Sequence, residues 1–388
     1  MINTNFIPYG KQTITQQDID SVVEVLKSPF LTQGPVVPQF EKIFSTFTAS
    51  SFSVACNSAT SALHLACHAI GLKSNDLLWT SPITFVASAN CARYCGADVG
   101  FVDIDPTTAL IDVNQLEKQL LIADRRGRLP KVIVPVHLTG TSCDMVGIKE
   151  LADRYDIYLI EDASHAVGAS YMNAPVGNCI YSDISVFSFH PVKIITTAEG
   201  GIATTNNPLF AERMVSTRSH GIQRNSDKFE YHNCGPWYYE QQELGFNYRL
   251  TELQAALGLS QLQRLESIVD ERNRLLSNYK RLMADLPVTF LSIPPSCHSS
   301  VHLAVILLRS GDPDHHKRIF DGFRAAGIGV QLHYLPVHLH PYYRRLGWSI
   351  GDFPIAESYS SRAISIPLFP GLTDSQQTRI TSVLSSLL

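Results

Sequence analysis

The sequence predicts an α/β protein with a large, mainly parallel sheet domain and a smaller C-terminal α+β domain. Short apolar runs alternate with amphipathic runs over the first half of the chain, which is typical of parallel strands covered by helices. Val132-Ile133-Val134 is a continuous apolar run, as expected for a strand buried on both faces. A long helical pattern begins near Leu253, and short strands and helices return after Pro287.

Apolar runs bounded by polar or turn residues define the elements of the large domain. The predicted strands are 52–56, 77–80, 99–104, 132–136, 157–160, 184–187 and 201–204. The predicted helices between them include 61–70, 113–121, 145–155 and 208–219. Apolar residues recur at helical spacing from Leu253 to Val269, and we place the domain boundary inside this long helix. Residues 1–265 then form the large domain with an N-terminal arm, and residues 266–388 form the small domain.

Composition narrows the classes of function. The 388 residues are 45% hydrophobic and 17% charged with a net charge of −4, which favours a globular enzyme and makes nucleic acid a poor default partner. No apolar stretch reaches the length of about 18 residues that a membrane span needs, and the N-terminus lacks a signal pattern. Eight cysteines occur without a C-x-x-C pair, which favours buried thiols in a reducing cytoplasm.

Residues able to carry chemistry follow two of the predicted strands. Lys193 comes shortly after strand 184–187, although a lone lysine there is more often a solvated loop residue. Strand 157–160 runs directly into Glu161 and Asp162. Open α/β sheets bind ligands at the carboxyl ends of their strands, so a carboxylate there could hold the protonated nitrogen of a pyridine ring. A helix-capping role for this acid is an equal alternative.

Small hydroxyl residues follow the first strand and open a helix. Ser58, Thr60 and Ser61 lie at this point, where the free N–H groups and positive dipole end of a helix suit a phosphate. Ordinary helix capping explains the same residues and does not exclude the phosphate. Phe85 follows the next strand, where an aromatic ring could stack on a flat cofactor, although core packing is the commoner use.

Taken in order, these features resemble a known family. This order of features resembles fold-type I enzymes that use pyridoxal 5'-phosphate (PLP). The features are a phosphate cup formed by Ser58, Thr60 and Ser61, the aromatic residue Phe85, the Asp-x-x-His from Asp162 to His165, and the Ser-x-x-x-x-Lys from Ser188 to Lys193. Among these, the chain is similar to the DegT/DnrJ/EryC1/StrS family of sugar aminotransferases. The resemblance extends from residues 31–35 to residues 369–373, and its most specific segment is 245–256.

The resemblance implies that the large domain binds PLP and that each site residue has a role. Lys193 would hold PLP as a Schiff base and then act as the base, while Asp162 would pair with the pyridine nitrogen. His165 would contact the cofactor near its phenolic oxygen, and Phe85 would stack on its ring. Its phosphate would be bound by Ser188, Thr60 and Ser61. The residues implied to bind the cofactor are therefore Lys193, Asp162, His165, Ser188, Thr60, Ser61, Phe85 and Asn247. Those implied to line a nucleotide-sugar pocket are Tyr9, Phe30, Leu31, Thr32, Asn247, His333 and Tyr334. Asn247 would reach a neighbouring subunit's site, so a homodimer with shared active sites is implied.

Within this family, the chain most resembles the aminotransferases of the pseudaminic acid pathway. Four stretches carry this similarity: 57–63, 187–193, 196–201 and 333–338. It implies transfer of an amino group from glutamate to C4 of a UDP-2-acetamido-2,6-dideoxy-4-keto-hexose. Another UDP- or dTDP-linked keto-sugar is the first alternative.

Other interpretations stay open on the residues alone. A PLP-dependent sugar dehydratase has histidine at the lysine position in related proteins, so Lys193 argues against it, although His190 lies close by. A non-catalytic regulator that keeps the fold is a second alternative. His333, His338 and His340 could suggest a metal, but no cysteine or carboxylate pattern accompanies them. We therefore expect these histidines to form a polar pocket wall, and no metal site.

Overall fold

The computed structural model describes residues 6–231 and 235–388. The strands are β1 (Phe52–Cys56), β2 (Leu77–Thr80), β3 (Asp98–Phe101), β4 (Val132–Val134), β5 (Tyr158–Asp162), β6 (Ser170–Tyr171), β7 (Ala174–Pro175), β8 (Ile184–Ser188), β9 (Gly201–Thr205), β10 (Ile222–Gln223), β11 (Glu240–Gln241), β12 (Val288–Phe290), β13 (Cys297–His298), β14 (Ala304–Leu308) and β15 (Ala363–Ile366). The helices are α1 (Gln16–Lys27), α2 (Val36–Thr48), α3 (Ala59–Ile70), α4 (Ala87–Tyr94), α5 (Val113–Arg125), α6 (Met145–Tyr155), α7 (Pro208–Thr217), α8 (Glu252–Leu262), α9 (Leu265–Leu282), α10 (Pro313–Ala325), α11 (Pro341–Arg344), α12 (Pro354–Ser360) and α13 (Asp374–Leu387).

The main sheet has the strand order β1-β9-β8-β5-β4-β2-β3. Its strands pair in parallel from β3 to β8, whereas β9 runs antiparallel to both β8 and β1. All seven predicted strands lie in this sheet, so the predicted mainly parallel architecture is confirmed. The bounds differ by a few residues: β4 ends at Val134 because Pro135 follows and has no N–H to donate to a ladder.

The carboxyl ends of the three strands β1, β5 and β8 lie at one edge of this sheet. Asp162 ends β5 and Ser188 ends β8, and these two strands are parallel neighbours. Ser188 pairs with Gly201 on β9, and Gly201 pairs in turn with Cys56 at the end of β1. Residues that follow β1, β5 and β8 are therefore brought together at the same edge, as expected for a ligand site of an α/β sheet.

A second sheet of β12, β14 and β15 lies in the C-terminal part, and both of its pairings are antiparallel. Its core contains Ile306 and Ile364 from the sheet and Phe323 from α10, together with Ile7 from the N-terminal segment. The predicted long helix is two helices, because α8 ends at Leu262 and α9 begins at Leu265. The division of the chain into residues 1–265 and 266–388 stays a prediction.

Among the described residues, no helix is both long enough and apolar enough to span a membrane. The same residues also contain no group of three or more His, Cys, Asp or Glu side chains arranged to hold a metal ion. His338, expected in a pocket wall, is instead fully buried with its ring against Phe101 and Phe353, and its Nε2 lies 3.0 Å from Oε1 of Glu357. This histidine therefore belongs to the packing of the core.

Candidate active site

Lys193 lies in the loop that follows β8, where its backbone N–H donates to the carbonyl of His190 at 2.9 Å. Burial lowers the pKa of Lys193 to about 8, although the carboxylate of Asp162 opposes this shift. The neutral form of the amine is therefore far more populated near physiological pH than it is for an ordinary lysine, whose pKa is 10.5. Neutral amine is the form that can act as a nucleophile or a base.

Asp162 is a buried carboxylate at the end of β5, held by hydrogen bonds on both oxygens. Ser88 donates to Oδ2 at 2.5 Å, and the backbone N–H of Ser164 donates to Oδ1 at 3.1 Å. The hydroxyls of Ser88 and Thr84 are 2.6 Å apart and both are buried. Because a hydroxyl has one proton, Ser88 gives it to the carboxylate and Thr84 donates to Ser88. This relay fixes the orientation of the Asp162 carboxylate.

His165 is a buried neutral imidazole in a defined tautomer. Burial, and then the charge of Lys193, lower its pKa well below the ordinary range. The backbone N–H of Thr139 donates to Nδ1 at 3.3 Å, so the ring proton is carried by Nε2. This Nε2–H lies 3.2 Å from the phenolic oxygen of Tyr334 and can donate to it. His165 therefore presents a hydrogen-bond donor on the side of Tyr334.

Three residues predicted to line the sugar pocket lie together beside His165. The ring of His333 is 5.5 Å from that of Tyr9 and 4.9 Å from that of Tyr334. Nδ1 of His333 lies 2.8 Å from Oγ of Ser365. Burial, followed by the charge of Lys193, lowers the pKa of His333 to about 3, so this ring is neutral at physiological pH. These side chains form a mostly uncharged wall near Lys193.

Phe85 follows β2 and stays 57% exposed, with its ring 6.3 Å from that of Tyr334. A ring with this exposure is not packed in the core, although core packing is the commoner role of a phenylalanine. Phe85 therefore offers an open aromatic face on the Tyr334 side of the pocket.

The predicted phosphate cup is built by a close approach of β9 to the start of α3. A Cβ added to Gly201 would lie 2.6 Å from both Cα of Ala59 and the carbonyl carbon of Ser58, which are backbone atoms. Only glycine fits this position. Because Gly201 pairs with Ser188, the hydroxyl of Ser188 is placed next to the first turn of α3.

The first turn of α3 is partly capped by its own side chains. Ser58 is the N-cap residue, and its hydroxyl accepts the N–H of Ser61 at 3.1 Å. The hydroxyl of Ser61 donates to Oδ1 of Asn57 at 2.6 Å. Thr60 lies in the same turn and is half-buried. Both the capping and the phosphate interpretation of these residues fit this geometry, because capping leaves other N–H groups of the turn free of helical partners.

The comparison with known proteins decides the family. The DegT/DnrJ/EryC1/StrS aminotransferase family matches residues 12–385. The chain belongs to this family of aminotransferases. Its members are PLP-dependent, which confirms the cofactor and the fold-type I architecture that the sequence predicts.

Relatives match the aminotransferase over nearly its whole length. It is 37% identical over 364 residues to UDP-4-amino-4,6-dideoxy-N-acetyl-beta-L-altrosamine transaminase of Campylobacter jejuni, covering 93% of this chain and 92% of the relative. It is 36% identical over 377 residues to the spore coat polysaccharide biosynthesis protein SpsC of Bacillus subtilis, covering 95% and 94%. The structure of Helicobacter pylori PseC, an aminotransferase involved in the biosynthesis of pseudoaminic acid, superposes with a TM-score of 0.90 at 32% identity, covering 98% and 99%. The PMP form of the putative sugar aminotransferase Spr1654 from Streptococcus pneumoniae has a TM-score of 0.91 at 28% identity, covering 98% of each chain.

The residues at the sheet edge of this aminotransferase fit PLP. The amine of Lys193 can bind the cofactor's aldehyde, and the fixed carboxylate of Asp162 can hold a protonated ring nitrogen. The cradle between Gly201 and α3 provides a hydroxyl and a helix N-terminus, which are the donors that suit a phosphate.

Four other residues predicted for the site of the aminotransferase are exposed on the surface of the subunit. Phe30 and Leu31 are about half exposed in the connection between α1 and α2, where the carbonyl of Leu31 accepts the N–H of Glu252 at 3.0 Å. Thr32, in the same connection, is exposed. Asn247 is exposed as well, and its carbonyl accepts from Nδ2 of Asn57 at 3.4 Å.

Several residues of this site could not be predicted from the sequence. Ser88 gave no signal beyond that of a helix-opening hydroxyl, and His302, whose ring is 4.4 Å from that of His165, gave none. Arg272 looks in sequence like a surface arginine of an amphipathic helix. It is instead buried, lines a small cavity together with Lys193, and donates to the carbonyl of His302 at 3.2 Å.

Proposed function

We propose that this aminotransferase transfers an amino group from glutamate to C4 of a UDP-2-acetamido-2,6-dideoxy-4-keto-hexose in pseudaminic acid biosynthesis. The observation that carries the chemistry is the half-buried Lys193, whose pKa is lowered and whose amine interacts electrostatically with Asp162 and the neutral His165. The choice of sugar is supported by the 37% identity to the C. jejuni transaminase and by the similarity to H. pylori PseC.

Lys193 would perform both the holding and the proton transfer. PLP, when bound, supplies an electron sink for the electrons released at Cα of the amino acid. Nζ of Lys193 would hold the cofactor until glutamate replaces it. The freed amine would then move a proton between Cα of the amino acid and C4′ of the cofactor, which requires its neutral form. The lowered pKa of Lys193 supports this role.

The surrounding residues would orient the cofactor. Asp162 would keep the pyridine nitrogen protonated, and its relay from Ser88 supports that role by restricting the carboxylate. His165 would contact the ring near its phenolic oxygen, where its Nε2–H can donate. The exposed face of Phe85 would stack on the ring.

The phosphate and substrate groups would be bound at two sides of Lys193. Ser188, Thr60 and Ser61 would bind the phosphate in the cradle next to Gly201. Residues proposed to line the nucleotide-sugar pocket are Tyr9, Phe30, Leu31, Thr32, Asn247, His333 and Tyr334.

We further propose a homodimer with shared active sites in the cytoplasm. The exposure of Asn247 on its own subunit supports a role in the neighbouring site. The cysteines of the described residues are all free, which agrees with a reducing compartment.

The sugar assignment is tested with matched substrates that differ only in the 2-acetamido group. A pocket that hydrogen-bonds this group should prefer the acetamido sugar over its 2-hydroxy counterpart by about a hundredfold or more in kcat/KM, because the analogue leaves buried polar groups unpaired. Product mass spectrometry with glutamate as donor and UDP- or dTDP-linked 4-keto-6-deoxy sugars gives these values. Equal values for the two sugars would remove the pseudaminic acid assignment and leave an aminotransferase for another nucleotide-linked keto-sugar.

A further inference from the structure

Glu252 is a fully buried carboxylate with no role in the chemistry described above. It begins α8, and its carboxylate accepts two backbone N–H groups of another helix: that of Val36 at Oε2 (2.7 Å) and that of Val37 at Oε1 (3.2 Å). Its own backbone N–H donates to the carbonyl of Leu31 at 3.0 Å. Glu252 therefore holds both ends of the segment from residue 31 to residue 37.

This carboxylate replaces the missing cap of α2. The N-cap residue of α2 is Pro35, which has no side chain able to accept a hydrogen bond. Val36 and Val37 are the first two residues of the helix, whose N–H groups have no helical partner. A carboxylate suits this position because the hydrogen bonds are charge-assisted and the helix dipole is positive there.

The connection between α1 and α2 is folded tightly around Glu252. A Cβ on Gly34 would lie 2.8 Å from Oε2 of Glu252 and 2.6 Å from Cβ of Phe30. Gln33 next to it has φ 56°, in the left-handed region. The position of Phe30, Leu31 and Thr32 therefore depends on a close fit between this turn and the carboxylate.

The first turn of α8 also contacts the segment that follows Lys193. Gln254 donates through Nε2 to the carbonyl of Glu199 at 2.8 Å, and it closes a capping box with Thr251. Glu252 thus lies between two functional segments, the 30–32 turn on one side and the 193–200 loop on the other. A test has to separate these two connections.

We propose that Glu252 is a positioning residue for the nucleotide-sugar substrate, which fixes the Phe30-Leu31-Thr32 turn through its bonds to Leu31, Val36 and Val37. The inference rests on the proposed function, in which this turn lines the sugar pocket. Glutamate and the sugar react in separate halves of a transamination. Loss of Glu252 should therefore weaken use of the sugar and leave the glutamate half unchanged.

The first test compares Glu252→Gln with the parent enzyme in each half-reaction. Glutamine keeps the shape, but its amide can accept on one side only and carries no charge. We expect KM for the nucleotide sugar to rise by about tenfold, since hydrogen bonds to a charged group are lost. The rate of amino transfer from glutamate to the cofactor, followed by absorbance without sugar, should not change. Calorimetric titration with UDP should show the same loss of affinity independently of turnover.

A second variant and a control keep the test decisive if Glu252→Gln folds poorly. Gly34→Ala adds a methyl group that collides with Phe30 and the carboxylate of Glu252, so it disturbs the same turn without changing Glu252. It should reproduce the selective loss of sugar affinity. Asp112→Asn is the matched control, because Asp112 caps α5 through the N–H groups of Asn114 and Gln115 at 2.8 and 3.1 Å. This variant should leave both half-reactions unchanged.

The outcomes separate this proposal from the proposed function. A parallel loss in both half-reactions for Glu252→Gln and Gly34→Ala would mean that the residue acts through the Lys193 loop or the fold, and would overturn the proposal. An unchanged KM for the sugar would overturn it as well. If the parent enzyme instead rejects the UDP-acetamido sugar, the proposed function fails, and the same comparison with the nucleotide sugar that it accepts still decides the role of Glu252.

Discussion

The amine of Lys193 has a pKa of about 8 because burial disfavours its charged form more than the nearby Asp162 favours it. The same surroundings lower the pKa values of His165 and His333, so both rings are neutral at physiological pH. Of these three side chains, Lys193 is therefore the one that exchanges a proton near neutral pH. This difference fits the division of roles proposed for the site, in which Lys193 moves protons and the histidines donate hydrogen bonds or form the wall.

The lowered pKa of Lys193 predicts how the rate of covalent PLP binding by the enzyme without cofactor depends on pH. Only the neutral amine reacts, so for a pKa of about 8 the rate should be about fivefold lower at pH 7 than at pH 8. It should level off roughly one pH unit above the pKa, at about pH 9. Stopped-flow absorbance measures the rate. Lys193→Ala should show no covalent capture at any pH. A rate that keeps increasing towards pH 10 would mean that the amine is solvated like an ordinary lysine.

At the scale of elements, the cofactor cradle depends on how β9 lies against α3. The register of β8, β9 and β1 brings Ser188, Gly201 and Cys56 side by side. The backbone at Ala59 then approaches Gly201 so closely that no side chain fits between them. The distance between the hydroxyl of Ser188 and the helix N-terminus is thus set by backbone packing.

Gly201→Ala should push the start of α3 away from Ser188, because the new methyl group meets backbone atoms that cannot rotate away. We expect weaker PLP binding and a loss of about 1–3 kcal/mol in the free energy of unfolding, as for other overpacked sites. Cofactor titration and denaturant unfolding measure the two effects. The control is Gly311→Ala, whose methyl group meets only the movable hydroxyl of Ser361 within 3 Å. Normal PLP affinity in Gly201→Ala would contradict the proposed cradle.

At the scale of elements, most of the large sheet could be predicted from sequence. The strands are buried apolar runs and the turns between them are polar, so local patterns identify all seven strands. The interruption between α8 and α9 could not be predicted, since the apolar spacing continues through it. There Arg264 leaves the helical conformation, and its Nη2 lies 2.6 Å from the buried carboxylate of Asp18, a partner 246 residues away.

At the scale of the whole molecule, distant parts of the chain combine around the site. Ile7 pairs with Ile328 and is buried in the core of the C-terminal part, which places Tyr9 next to His333. Asn247, in contrast, is exposed beside Asn57. Of the predicted pocket residues, Tyr9 and His333 are thus brought together within one subunit, whereas Asn247 lies on the surface of the subunit.

The shared-site homodimer is tested by mixing two inactive variants, Lys193→Ala and one that removes the side chain of Asn247. If Asn247 serves the neighbouring site, a mixed dimer has both defects in one site and none in the other. Activity should then return on subunit exchange, to about half of the sites in each mixed dimer. Light scattering and tagged subunits verify the dimer and the exchange. Exchange without recovery would place Asn247 in its own subunit's site, and an Asn247 variant that is active by itself would place this residue outside the site.

The sequence by itself determined the strand order along the chain, the apolar runs that become the sheet, and the family motifs around Lys193. These features are local, because burial and turn chemistry act on neighbouring residues. Only the tertiary structure decided which acid faces which partner: Asp162 accepts from Ser88, while Glu161 next to it points to the other face and lies 2.6 Å from His137. It also decided that Glu252 caps a helix 216 positions earlier in the chain. Such contacts join residues that are distant in sequence. They form because packing buries both polar groups, and each group then needs the other as its hydrogen-bond partner.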